Sequence, residues 1–198
     1  MLILASASPR RQELLRNAGL DFLVQPANVV EEILPGEAPE TCAERLARSK
    51  AYAVFNQRPL DQSRYQQVLG ADTIVVVNGK ILGKPADQLD ATRMLRLLSG
   101  RDHLVTTGVC LLTPTHPSGQ GSHREDVRHE TTRVTMSKLT DAEIAAYVAT
   151  GQPIDKAGAY AIQGQASRWI PRIEGCYFNV VGLPISLVYR MLREAHEG

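Results

Sequence analysis

Apolar residues follow two rhythms along the chain: short unbroken runs, and stripes spaced three or four residues apart. Leu2 to Leu4 is an unbroken run of strand length, and Leu14, Leu15 and Ala18 form the apolar face of a helix behind it. Ser8 stands at the N-cap position of that helix, Pro9 at its first residue and Gly19 just past its end. Phe22 to Val30 reads as extended, and Pro35, Gly36 and Pro39 mark a loop. A second helix is predicted from about Glu40 to Val54, with Ala43, Leu46, Ala47 and Val54 as its stripe and Lys50 on the same face. Ile74 to Val77 is a β-branched run, as in a strand buried on both faces, and Asn78-Gly79 signals a type I′ hairpin. Ala91, Met94, Leu95 and Leu98 form a helical stripe closed by Gly100. Strands are expected at His103–Leu112 and Thr131–Met136. A helix over Ala142–Val148 follows the Thr140/Glu143 capping box, and a last helix runs through Leu187, Val188, Met191 and Leu192. Asn56–Gln67 reads as a polar loop and Thr113–His129 as a surface insertion.

The chain has 198 residues, enough for a buried core, with no internal repeat and no linker that divides it cleanly. A formal net charge of +1 argues against a general nucleic-acid surface but leaves room for a local basic pocket. The apolar start is too short for a signal-peptide h-region and no run approaches a membrane span, so a cytoplasmic protein without membrane partners is expected. Cys42, Cys110 and Cys176 are scattered and odd in number, as reduced thiols would be. His116, His123 and His129 lie in or beside the insertion without metal-ligand spacing and read as solvated.

Candidate chemistry gathers first at Ser6-Ala-Ser-Pro-Arg-Arg. A strand end meets a helix N-terminus there, where free N–H groups and the helix dipole favour an anion. Arg10 and Arg11 could grip a phosphate through several donors, or Ser8 could simply cap the helix. Lys50 either snorkels to solvent or offers a point charge to a phosphate. Asp72 enters a buried strand, which is costly unless something pairs with it, and its neighbours Gly70 and Ala71 are small enough to let a ligand approach. Lys84 follows the returning strand in Gly83-Lys84-Pro85 and is either a turn residue or aimed at the same sheet end. In Asp155 to Gly164, Gln163 offers an amide suited to the edge of a base or to a backbone partner. No P-loop is present, which argues against a motor-type NTPase.

Taken in order, Ser6-Ala-Ser-Pro-Arg-Arg, Glu31-Glu32, Arg48-Ser-Lys50-Ala, Gly70-Ala-Asp-Thr, Gly83-Lys-Pro, Asp155 to Gly164 and Gly175 to Pro184 resemble the Maf family of nucleotide pyrophosphatases. The resemblance spans nearly the whole chain, residues 1–198 as one Maf-like domain, and the lengthened stretches near 56–67 and 114–129 fall outside its motifs. It implies an α/β fold, a mixed twisted sheet flanked by helices with two lobes around a central cleft, similar to inosine-triphosphate pyrophosphatases. It also implies hydrolysis of a nucleoside triphosphate to monophosphate and pyrophosphate with a divalent cation, Mg²⁺ or Mn²⁺. The motif forms look like the branch acting on dTTP and UTP, and modified pyrimidine nucleotides are further candidates. By position, Arg10, Thr73 and Gln163 match residues linked to base choice, and Asp72 matches the proposed proton acceptor. Glu32, Lys50 and Lys84 match other cleft residues. On this reading Asp72 and Glu32 hold the ion, while Ser8, Arg10, Arg11, Lys50 and Lys84 face the phosphates, whose charge is about four negative units. A homodimer is suggested by the resemblance alone. Two rival readings are a nucleotide-binding regulator of septum formation without essential turnover, and a phosphatase releasing orthophosphate.

Overall fold

In the computed structural model, which describes residues 1–57, 66–115 and 123–197, the chain is a mixed α/β protein built on one seven-stranded sheet. The elements in order are β1 (Leu2–Leu4), α1 (Pro9–Asn17), β2 (Phe22–Val24), α2 (Pro39–Phe55), β3 (Gln67–Val77) and β4 (Lys80–Leu82). They continue with α3 (Gln88–Leu98), β5 (Asp102–Pro114), β6 (His123–Thr135), α4 (Asp141–Ala149), β7 (Arg172–Glu174), α5 (Tyr177–Val181) and α6 (Ile185–Glu197). The strand order is β2-β1-β3-β5-β6-β7, with β4 paired to β3. β1 runs parallel to both β2 and β3, whereas β3–β4 and β6–β7 are antiparallel.

The chain divides into two compact units. Unit 1 comprises Met1–Asp72, Thr107–Glu130 and Gly182–Gly198, and unit 2 comprises Thr73–Thr106 and Thr131–Val181, so β3, β5 and β6 each contribute to both. Ile3, Ala5, Ala47, Ala51, Val54 and Val68 form part of the core of unit 1. The core of unit 2 includes Val75, Leu95, Leu98, Tyr147 and Trp169.

Local rules account for much of this. Asn78 and Gly79 have φ of 49° and 72°, the two positive values a type I′ turn requires, and Val77 pairs with Lys80 across it. Thr140 and Glu143 form the capping box at α4, the Thr140 N–H donating to Glu143 Oε2 at 2.8 Å. Other expectations are corrected. Ser8 occupies the N-cap place of α1 with no capping side-chain bond; its own N–H donates instead to Ser6 Oγ at 3.2 Å. Ala18 is the exposed C-cap of α1, outside the buried face. The extended stretch after it forms a strand only over Phe22–Val24.

The largest difference lies at the expected insertion. β5 runs on to Pro114 and β6 begins at His123, while residues 116–122, His116 among them, lie outside the described residues, as do 58–65 of the loop expected at 56–67. Neither His123 nor His129 lies in a loop: both are on β6, where His123 is half-buried and His129 stays exposed. His123 Nε2 shares a 2.7 Å hydrogen bond with Tyr52 Oη, and His129 Nδ1 meets Glu44 Oε1 at 2.7 Å. The charged residues of β6 pair with helices distant in sequence: Glu125 with Arg48 of α2, and Arg128 with Glu194 of α6. Partners of this kind let a polar segment serve as a strand without an alternating apolar pattern.

Candidate active site

Helix α2 comes onto the sheet backbone to backbone at two glycines. Ala43, Ala47 and Ala51 are fully buried along one face of α2 at four-residue spacing. Opposite them are glycines: a Cβ on Gly70 of β3 would stand 2.2 Å from the Ala47 carbonyl oxygen, and one on Gly108 of β5 2.2 Å from that of Ala43. The room beside Asp72 that Gly70 leaves is therefore filled by α2, not open to a ligand. Backbone meeting backbone brings Lys50, which precedes Ala51 on α2, onto Asp72 in the middle of β3.

Both groups are buried, Lys50 at 7% and Asp72 at 6% exposure, so neither charge is solvated and each needs a partner. Lys50 Nζ donates to Asp72 Oδ1 and also meets Glu31 Oε1 at 2.6 Å. It does not snorkel to solvent. Arg11 completes the charged group from α1. It is buried, its Nε donates to the Gly182 carbonyl at 2.8 Å and its Nη1 to Ser6 Oγ at 3.2 Å. Burial lowers its pKa from the ordinary arginine value, while the Asp72 and Glu31 carboxylates raise it and Arg10 lowers it again. Two cations and two carboxylates thus balance in unit 1.

Of the residues marked in the sequence, the structure brings Lys50 and Asp72 together and sets Arg11 within reach of their field. The carboxylate that joins them is Glu31. Glu32, the sequence candidate, presents its backbone carbonyl to Arg45 Nη2 at 2.8 Å. Ser8 and Arg10 are half-buried at the start of α1. Thr73, Lys84 and Gln163 belong to unit 2, where Thr73 is half-buried and the other two are exposed. Within that unit the Gly158 N–H donates to the Gly83 carbonyl at 3.0 Å, which ties the Asp155–Gly164 segment to the residue before Lys84. Gly158 has φ of 67° and a Cβ there would lie 2.9 Å from Val75 Cγ2, so this glycine serves both a left-handed turn and a close approach. Ser6 and Arg45 were not singled out as individual residues in the sequence. Nothing local marks Arg45, since its partners Glu32 and Glu37 lie across a loop.

Two carboxylates around one ammonium are hard oxygen donors of the kind Mg²⁺ and Mn²⁺ accept. Among the described residues no group of three His, Cys, Asp or Glu side chains could hold an ion alone, so substrate oxygens and water would complete the shell. The arrangement is suited to orienting a water and to managing phosphate charge.

The family model described as Maf-like protein matches residues 1–195. The chain is 57% identical over 194 residues to a dTTP/UTP pyrophosphatase of Koribacter versatilis (strain Ellin345), covering 98% of this chain and 94% of that protein. It is 48% identical over 189 residues to a dTTP/UTP pyrophosphatase of Syntrophomonas wolfei subsp. wolfei, covering 96% and 94%. One from Geobacter sp. (strain M21) is 50% identical over 192 residues, covering 97% and 94%. Among solved structures, a nucleoside-triphosphatase / dITP/XTP pyrophosphatase from Mycobacterium abscessus aligns with a TM-score of 0.36 at 13% identity, over 70% of this chain and 73% of that one.

Proposed function

The chain belongs to the family of Maf-like proteins, and from that membership we propose that it hydrolyses dTTP and UTP to the monophosphate and pyrophosphate. Similarity to dTTP/UTP pyrophosphatases over nearly the full chain supports the substrate class. The observation that carries the mechanism is Lys50 held between Asp72 and Glu31.

Water attacks the α-phosphorus, the bond from that phosphorus to the bridging oxygen breaks, and pyrophosphate leaves with the electron pair. Asp72 takes the proton of the attacking water. Lys50 has three N–H donors, of which two go to Glu31 and Asp72; the third serves a phosphate oxygen. Because the group around Lys50 is already charge-balanced, an entering tetra-anion needs further positive charge. Arg10 and the N-terminal end of α1 supply part of it. Asp72 and Glu31, with Glu32 next in the chain, are the residues that would hold a divalent cation, and its chemistry there would be Lewis-acid polarisation of the phosphate. By their places in the family motifs, base choice is assigned to Arg10, Thr73 and Gln163, further counter-charge to Lys84, and hydrogen bonds to the phosphates to the Ser8 hydroxyl and the Arg11 guanidinium. A homodimer belongs to the same proposal and is checked by sedimentation. The thiols of Cys42, Cys110 and Cys176 are all free, which fits a reducing cytoplasm, and no helix among the described residues is long and apolar enough to cross a membrane.

The test is product analysis with UTP in the presence of each metal. UMP with pyrophosphate supports the proposal, and UDP with orthophosphate overturns it. Asp72→Asn should abolish turnover while leaving nucleotide binding measurable; normal turnover would remove Asp72 from the mechanism.

A further inference from the structure

Glu31 sits in a stretch, residues 25–38, that is neither helix nor strand. Such a segment holds a side chain in place only where something grips it. The grip comes from Arg45, five residues before Lys50 on α2. Its Nε donates to Glu37 Oε1 and its Nη2 to Glu37 Oε2, each at 2.7 Å, a two-pronged pair. The same Nη2 donates to the Glu32 carbonyl at 2.8 Å. One planar guanidinium thus binds the segment at two points, one of them the residue next to Glu31. The Glu37 N–H closes the turn between them on the Leu34 carbonyl at 3.3 Å. Cys42 Sγ lies 3.9 Å from Arg45 Nη2 and supports the pair from the preceding turn of α2. Burial, and then its hydrogen bond to Glu37, push the Cys42 thiol up to about 11, so it stays a neutral donor.

We infer that Arg45 is a positioning residue for the acidic segment: by clasping Glu37 and the Glu32 carbonyl it keeps Glu31 against Lys50. The clasp and Lys50 share one helix, so the segment is registered against the same rigid body that carries the ammonium. A lone exposed ion pair would contribute little. A fork with a third bond to a carbonyl is directional, and lysine, a point donor, cannot reproduce it. Glu37 in turn is held at about 2, well below the ordinary glutamate value, first by the Arg45 hydrogen bond.

The inference rests on the pyrophosphatase reading for its kinetic arm and stands apart from it in a second arm. Arg45→Ala and Arg45→Lys should each lower kcat/KM for UTP about 10-fold or more, as losses of outer-layer partners commonly do. In a Glu31→Gln background, Arg45→Ala should cost less than about twofold further, since no carboxylate remains to be placed. An equal cost in both backgrounds, or no cost in the first, overturns the clasp. Hydrogen exchange gives the second arm: amides of residues 31–37 should exchange faster in Arg45→Ala while those of β3 keep their protection. Unchanged exchange at 31–37 overturns the clasp whatever the activity. If the wild-type protein releases pyrophosphate from no nucleoside triphosphate, the pyrophosphatase reading fails, and the exchange arm alone decides the clasp. Should Arg45→Ala fail to fold, Glu37→Gln opens the fork from its other side and is read the same way.

Discussion

Helices meet the sheet differently in the two units. In unit 1, α2 approaches β3 and β5 through Ala43, Ala47 and Ala51 against Gly70 and Gly108, with backbone on backbone. In unit 2, the core that includes α3 and α4 is filled by large side chains: Met94, Leu95, Leu98, Ile144, Tyr147 and Trp169 are buried together, with the Tyr147 and Trp169 rings 5.3 Å apart and edge to face. The first interface is limited by what can be added, the second by what can be removed. Each also buries a titratable group in its own way. Unit 1 buries Lys50 and Asp72 as a charged pair. Unit 2 buries His103 at 2% exposure with Tyr160 Oη 2.7 Å from its Nε2, and burial depresses the histidine to about 4. Close approach is what lets a lysine on a helix reach a carboxylate on a strand, and it is where the proposed chemistry sits.

The sharpest way to break the comparison is to add one methyl group to unit 1. Gly70→Ala puts a Cβ 2.2 Å from the Ala47 oxygen and 2.7 Å from the Ala51 nitrogen, both backbone atoms of a packed helix. The expected loss exceeds about 4 kcal/mol, at the severe end for a single substitution, with loss of turnover because Lys50 moves from Asp72. A wild-type urea midpoint would show that α2 does not lie on β3 as described. Next comes removal from unit 2. Leu95→Ala, at a fully buried position of the core, should cost about 3 kcal/mol in urea unfolding, whereas Leu95→Met should cost below about 1.5 kcal/mol. Equal costs would mean that this core is not close-packed.

The pH responses of the two units sharpen the contrast further. His103 titrates near 6.5 when unfolded and near 4 when folded, so the unfolded chain binds the extra proton between those values. Stability is complete above pH 6.5 and falls as pH drops toward 4, by up to about 3 kcal/mol. His103→Gln should flatten that slope in urea midpoints measured across this range. Glu37 in unit 1 behaves oppositely in cause though not in sign: its folded value is depressed from 4.5 to about 2 by Arg45. Its contribution is present above pH 4.5 and is lost as pH falls toward 2. Solvent screening keeps it below about 1 kcal/mol, and Glu37→Gln should remove it. A wild type with no loss between pH 6.5 and 4 would contradict the burial of a neutral His103.

What the sequence determined by itself was decided locally. The Asn78-Gly79 turn, the Thr140/Glu143 capping box, the stripes of α2, α3 and α6 and the strand at Ile74–Val77 need only neighbours within a few residues, whose dihedral and hydrogen-bonding preferences are intrinsic. That Asp72 required a partner was legible too, because a buried carboxylate is costly wherever the chain places it. Which partner it takes was not legible, since Lys50 is 22 residues away and the choice of Glu31 over Glu32 depends on how Arg45 holds a loop. Nor could sequence reveal that the space beside Gly70 is filled by a helix, that Ser8 leaves α1 uncapped while Ser6 bonds Arg11, or that the charged stretch at 123–130 is a strand. Those outcomes depend on groups that meet only after the chain has folded, where one buried charge or one backbone contact outweighs the weak local preferences of polar residues.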